Sequence, residues 1–293
     1  MATIKKRPSA RALGRKPVDD QIDFYGLTHP GKVRKENQDH FLVSSLHKRM
    51  EVHMTSLPDT GKLYGEAERL AFLAMVADGV GGVRGGEEAS RLALEAVSQY
   101  AAESMDCYYT ADPTDDQAFT RALASAALHC HEDVLRRSEG APGRGMATTL
   151  TLMLFVWPRA YLLQVGDSRY YILRHGELTQ ISGDQTLAQV LVDDGVFSRT
   201  EAAKSPLSDV LSSAIGGSET TPVVTCIDQD WNYVHLLCSD GLTKHVSDER
   251  IAEQLRSMTS ARQACEALLQ DALDGGGTDN ITVIVGRALQ NEA

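Results

Sequence analysis

Residues 148–180 read TTLTLMLFVWPRAYLLQVGDSRYYILRHGELTQ. Apolar runs of strand length occupy 148–156, 161–165 and 170–174, with only a few residues between them. His175-Gly176, set between Ile172 and Leu178, predicts a hairpin turn. This block therefore reads as consecutive strands, not as an alternating β-α-β chain.

Further strand-length runs lie at 41–46, 70–77, 233–238 and 281–285. Helical periodicity runs over 87–103, with Ala89, Leu92, Ala93, Ala96, Val97 and Tyr100 on one face. A second helix is expected over 117–137, with Phe119, Ala122, Leu123, Ala126, Cys130 and Val134 inward. Shorter helices are expected at 248–258 and 261–273. The order is strands, a helix pair, a block of strands, then helices and a last strand. It predicts an α+β fold of mainly antiparallel sheets with helices packed outside. Two segments stand outside this plan. Residues 48–69 are polar and turn-rich and read as an insertion, and residues 187–217 read as a lid. Residues 1–20 carry Lys5, Lys6, Arg7, Arg11, Arg15 and Lys16 and read as a flexible basic tail before a domain at 21–290.

The length of 293 residues suits one large domain or two small ones, and 42% hydrophobic residues is an ordinary globular share. No apolar run approaches the roughly 20 residues of a membrane span. The basic, polar N-terminus has no apolar core of a secretory signal. Five cysteines (Cys107, Cys130, Cys226, Cys238 and Cys265) form no CxxC pair and predict reduced core thiols in a cytoplasm. A net charge of -11 argues against nucleic-acid binding.

Four acidic segments share one design, an aspartate beside a strand end. They are Arg34-Lys-Glu-Asn-Gln-Asp39, Ala77-Asp78-Gly79-Val-Gly81-Gly82, Ser239-Asp240-Gly241-Leu242 and Gly276-Gly277-Thr278-Asp279-Asn280. A lone Asp-Gly is most often just a turn. Repeated at the ends of apolar strands, such aspartates can converge on one rim of two packed sheets. Gathering anions without a cation is strongly unfavourable, and Mg²⁺ or Mn²⁺ suits an all-oxygen site. Two such ions can share a water and lower its pKa, so that hydroxide attacks phosphorus in line. Arg34 offers a planar fork for two phosphate oxygens.

Together with Gly145-Met-Ala-Thr148-Thr149-Leu150 and Val165-Gly-Asp167-Ser168-Arg169, these segments resemble the protein phosphatase 2C (PPM) family in its bacterial form, in family order over about residues 23–287. The resemblance implies a four-layer α-β-β-α sandwich and a cytoplasmic, metal-dependent protein serine/threonine phosphatase. Its partners would be phosphorylated proteins, with a bacterial Ser/Thr kinase acting on the same targets. It implies two Mn²⁺ or Mg²⁺ ions, with Asp78 bridging them and the Gly79 carbonyl on one. Asp240 and Asp279 would hold the other ion, Asp39 would act directly or through water, and Arg34 would hold the phosphate. Asp167 reads as structural and Asp184 as a cap.

The chain departs from the family at Gln38, where many members have Glu, and at Val80, where animal members have a histidine. Arg144 stands where many bacterial members have a third-metal aspartate, which speaks for two ions. His129 and His131 are not expected to share a metal, and His40 and His245 are not expected to be catalytic. A non-catalytic scaffold or sensor is the alternative reading. An aspartyl-phosphate enzyme would need Asp-x-Asp where Val80 stands, and a binuclear phosphodiesterase would need histidines in the motifs.

Overall fold

A computed structural model describes residues 15–48, 68–80, 85–103, 115–138 and 145–290. One sheet runs in the order β1 (Ile22–His29), β11 (Ile281–Ala288), β10 (Val234–Cys238), β7 (Arg169–Arg174), β8 (Glu177–Gln180). The second runs β2 (Asp39–Lys48), β3 (Glu68–Val80), β5 (Leu150–Val156), β6 (Arg159–Val165), β9 (Val223–Asp228), with β4 (Ala147–Thr148) paired to the end of β3. Each of these pairings is antiparallel.

Helices α1 (Gly85–Glu103) and α2 (Asp116–Ser138) cover the outer face of the second sheet, burying Leu92, Phe119 and Leu123 against Leu73 and Leu152. α3 (Leu187–Asp193) and α4 (Arg199–Ala202) lie between β8 and β9, and α5 (Asp240–Thr243) follows β10. α6 (Asp248–Ser257) and α7 (Ala261–Asp274) cover the first sheet, packing Ile251, Leu255 and Leu268 on Leu236 and Val283. Ser247 and Ser260 cap these two helices by accepting from Arg250 and Gln263 N–H. A third apolar layer joins the sheets, with Val76, Met153 and Leu162 from one and Ile172, Leu237 and Ile284 from the other. The expected α-β-β-α sandwich is the observed fold.

Side-chain alternation along β3 decides where the chemistry falls. Leu73, Met75 and Ala77 face the helices, while Ala74 and Val76 face the other sheet. The period of two then aims Asp78 between the sheets. Asp39 lies directly opposite Asp78 in the β2–β3 ladder, so it shares that face.

The hairpin at His175-Gly176 is present, with positive φ at both residues (49° and 82°). Neither β1 nor β9 was expected from the sequence. Both are sheet-edge strands whose residues are mostly half-exposed, and their apolar residues are interrupted by polar ones or glycine. Of the expected basic tail, residues 15–20 are described: Asp19 and Asp20 enter a 3₁₀ turn that ends at Gln21, and Arg69 on β3 hydrogen-bonds Asp19 and the Pro17 carbonyl. Residues 1–14 and residues 49–67 of the expected insertion lie outside the described residues. Cys130, Cys238 and Cys265 are free thiols and Cys226 Sγ hydrogen-bonds Asp116 Oδ1, whereas Cys107 falls outside the described residues. Among the described residues no helix is long and apolar enough to cross a membrane.

Candidate metal centre

The ends of β2, β3, β10 and β11 meet at one rim of the sandwich, and each brings a motif. Asp39 is only 3% exposed. Its Oδ2 accepts from Ser239 Oγ and Thr282 Oγ1, both at 2.7 Å. Ser239 and Thr282 belong to the opposite sheet, so these two bonds cross the sandwich. Asp39 Oδ1 is buried with no hydrogen-bond partner, and so is Asp240 Oδ1. A buried carboxylate oxygen left unpaired is costly.

Asp78 is held by its backbone. Its N–H donates to Thr149 Oγ1 at 2.9 Å, and its carbonyl accepts from Thr148 Oγ1 and Thr149 N–H, each at 2.9 Å. The Thr-Thr motif is thus a clamp that leaves the Asp78 carboxylate unengaged by it. The Arg34 loop is tied down by Asn280, whose Nδ2 donates to the Pro30 and Glu36 carbonyls and whose Oδ1 accepts from Gln38 N–H.

The glycines after the aspartates serve close approach. Asp78-Gly79 is not a turn, because β3 continues to Val80. A Cβ on Gly79 would lie 2.3 Å from the Gly86 carbonyl oxygen at the start of α1. A Cβ on Gly241 would lie 1.9 Å from the Asn280 carbonyl oxygen. Gly241→Ala is therefore expected to destabilise the fold by about 3 kcal/mol, since the obstacle is buried backbone that cannot step aside. A urea melt showing less than about 1 kcal/mol of loss would contradict this contact.

Asp240 and Asp279 face two cations. Arg34 grips Asp279 with both prongs, Nε to Oδ1 at 2.9 Å and Nη2 to Oδ2 at 3.0 Å, while its side chain stays 56% exposed. Lys244 Nζ lies 2.5 Å from Asp240 Oδ2 and 2.9 Å from Asp279 Oδ2. As placed, no three acidic, imidazole or thiol groups among the described residues converge tightly enough to clasp one cation. Asp240 and Asp279 are drawn towards Lys244 and Arg34 instead.

The titration pattern reports crowded anions. Burial, then Asp39 and Asp240, push the Asp78 carboxyl well above the usual range. Asp39 is raised to about 6, by burial first, against the hydroxyls of Thr282 and Ser239, which favour its charge. Burial also raises Asp240, and Lys244 opposes it. For Asp279, burial works upward, but hydrogen bonds from Arg34 and Lys244 prevail and hold it below the usual value. The donor set is all oxygen, two buried oxygens lack partners, and the carboxylates raise one another's pKa. These residues fit hard divalent cations.

Asp167 also belongs to this field. Burial, Asp240 and Asp184 raise its carboxyl to about 7. Asp184 itself is paired through both oxygens with Arg169. His40 pairs with Ser90 Oγ at 3.0 Å, and His131 Nδ1 with Thr220 Oγ1 at 2.7 Å. His245 Nε2 accepts the Thr278 N–H at 2.9 Å and thereby shapes the loop before Asp279. Gly81, Gly82 and Arg144 lie outside the described residues. Ser239, Thr282 and Lys244 were missed in the sequence. The first two stand one or three residues from motif aspartates, and strand alternation could have placed them inward. A cavity of about 90 Å³ opens between the sheets at the opposite end, lined by Phe72, Phe155, Trp157 and His235, and none of the motif carboxylates reaches it.

Two facing antiparallel sheets, flanked by helices and gathering aspartates from both sheets on one rim, define a sandwich of the PPM class. The chain belongs to the protein phosphatase 2C family, whose family model matches residues 59–275. It is 38% identical over 216 residues to the serine/threonine protein phosphatase PstP of Mycobacterium tuberculosis, covering 73% of this chain and 40% of that protein. The serine/threonine phosphatase stp of Listeria monocytogenes is 31% identical over 215 residues, covering 73% of this chain and 83% of that protein. The solved PstP catalytic domain in complex with two manganese ions matches with a TM-score of 0.70 at 32% identity, covering 92% of this chain and 99% of that one. The chain thus spans about 40% of the length of the mycobacterial relatives.

Proposed function

We propose that this chain is a metal-dependent protein serine/threonine phosphatase that hydrolyses phosphoserine and phosphothreonine with two Mn²⁺ or Mg²⁺ ions. The reading rests on one observation above all. Asp39 Oδ1 and Asp240 Oδ1 are buried without partners at the rim where Asp78 and Asp279 also emerge. When bound, the ions supply an activated water and neutralise charge on the phosphate oxygens. Asp78 takes the bridging place, with the Gly79 carbonyl beside it. Asp240 and Asp279 serve the second ion, and Asp39, fixed by Ser239 and Thr282, orients the cluster directly or through water. Arg34 is half-exposed at the mouth, where its guanidinium can turn from Asp279 to the incoming phosphate. The residues 187–217 serve as a lid. Phosphorylated proteins are the substrates and a bacterial Ser/Thr kinase is the opposing enzyme, in a cytoplasmic setting. Arg144 keeps the ion count at two.

Purified protein is expected to release phosphate from a phosphothreonine peptide with Mn²⁺ or Mg²⁺ and to stop with EDTA. Turnover that ignores EDTA would remove the metals from the mechanism. No turnover with any divalent ion would favour the scaffold alternative.

A further inference from the structure

Lys244 stands four residues after Asp240, one helical turn on, and its N–H donates to the Asp240 carbonyl at 2.8 Å. That turn hangs the lysine stem over the Asp240 carboxylate. Nζ reaches Asp240 Oδ2 and Asp279 Oδ2 together, so the ammonium lies between the two residues given above to the second ion. The side chain remains 31% exposed, which leaves it a path outward. Asp39 Oδ1 and Asp240 Oδ1 are not engaged by it. The carboxylate cluster therefore offers two unequal seats. One, at the buried Asp39 Oδ1 and Asp240 Oδ1, meets no hydrogen-bond donor. The other, between the outer oxygens of Asp240 and Asp279, already holds a positive charge.

We propose that Lys244 is a built-in competitor for the second metal ion, filling the seat between Asp240 and Asp279 and swinging out when that ion binds. This rests on the reading of Asp240 and Asp279 as metal ligands. An ammonium and a divalent cation held on the same oxygens repel each other, so each weakens the other's hold there. The first ion meets no such rival. The second must break both lysine contacts, so it binds more weakly, and the protein responds to divalent-ion concentration in two separated steps. Arg34 contacts only Asp279 and leaves Asp240 free, so it cannot substitute for Lys244 at this seat.

The test is calorimetric titration of the EDTA-stripped 293-residue chain with MnCl₂, comparing wild type with Lys244→Met and Lys244→Arg. In Lys244→Met the weaker step is expected to tighten about tenfold or more, with the tighter step moving less than about twofold. Lys244→Arg is expected to keep the weaker step. Both steps unchanged in a folded Lys244→Met protein, or a loosened weaker step, would overturn the competition while leaving the metal reading intact. No Mn²⁺ uptake by any of the three would overturn the metal reading and the competition with it. A second measurement needs no variant. The lysine ammonium NMR signal of Lys244 in wild type is expected to persist through the first equivalent of Mg²⁺ and vanish with the second. Persistence to saturation would equally overturn the proposal.

Discussion

Asp78→Asn is expected to lower turnover of a phosphothreonine peptide about a thousandfold or more, while the metal-free variant melts at a higher temperature than wild type. The two effects share one cause. Asp78 is pushed up by burial and by the charges of Asp39, Asp240, Asp167 and Asp279, so its ionised form costs folding energy when no cation answers it. An amide of the same shape removes that cost. It also removes the bridging anion on which the proposed chemistry depends. The backbone should hold, because Thr148 and Thr149 grip the Asp78 N–H and carbonyl and not its side chain. Activity is read by phosphate release and stability by thermal melting in EDTA. Near-normal turnover would take Asp78 out of the mechanism. A lower melting temperature would mean that the carboxylate holds the fold together.

The second expectation concerns pH. In EDTA the protein is expected to lose stability as pH rises from about 4 to about 7, and saturating Mn²⁺ should reverse the trend. The sign follows from the carboxyls whose folded values are raised. Asp39 lies at about 6 and Asp167 at about 7, against an ordinary value of 3.8. Between these limits the unfolded chain has released its protons while the folded chain retains them, so rising pH favours unfolding. Each group contributes on the order of a few kcal/mol, present below the ordinary value and lost through the folded one. Asp279 runs the other way, since Arg34 and Lys244 hold it low, but its contribution is complete by about pH 5. Mn²⁺ needs the same carboxyls ionised, so its stabilisation grows as they lose protons. Melting temperatures in EDTA that stay level across this range would show that the acidic cluster is not strained.

The aspartates were legible in the sequence because strand alternation is strict. Ala74, Val76 and Asp78 fall on one face whatever the neighbours are, and Asp39 follows once β2 pairs with β3. The helices were equally readable from their apolar faces. Edge strands β1 and β9 were not, since half-solvated residues carry no period strong enough to see. Lys244 was hidden for a different reason. Its contact with Asp240 exists only because the chain enters a helical turn directly after Ser239, and its contact with Asp279 spans 35 residues. The need for glycine at 79 and 241 was not legible either, because the backbones they admit belong to other segments, at Gly86 and Asn280.

The two hydroxyl contacts that Asp39 receives from Ser239 and Thr282 join one sheet to the other at a single carboxylate oxygen. Apolar layers resist separation well but resist sliding poorly, since one buried surface is much like the next. A directional three-atom junction has no such tolerance. A shift of one sheet by a single residue, about 3.3 Å, would break both contacts and strand the carboxylate. The junction therefore acts as a registration pin, fixing how the halves of the sandwich align along their strands. Since each half carries two of the four aspartates, the alignment of the whole β-sandwich and the spacing within its reactive rim are one mechanical quantity.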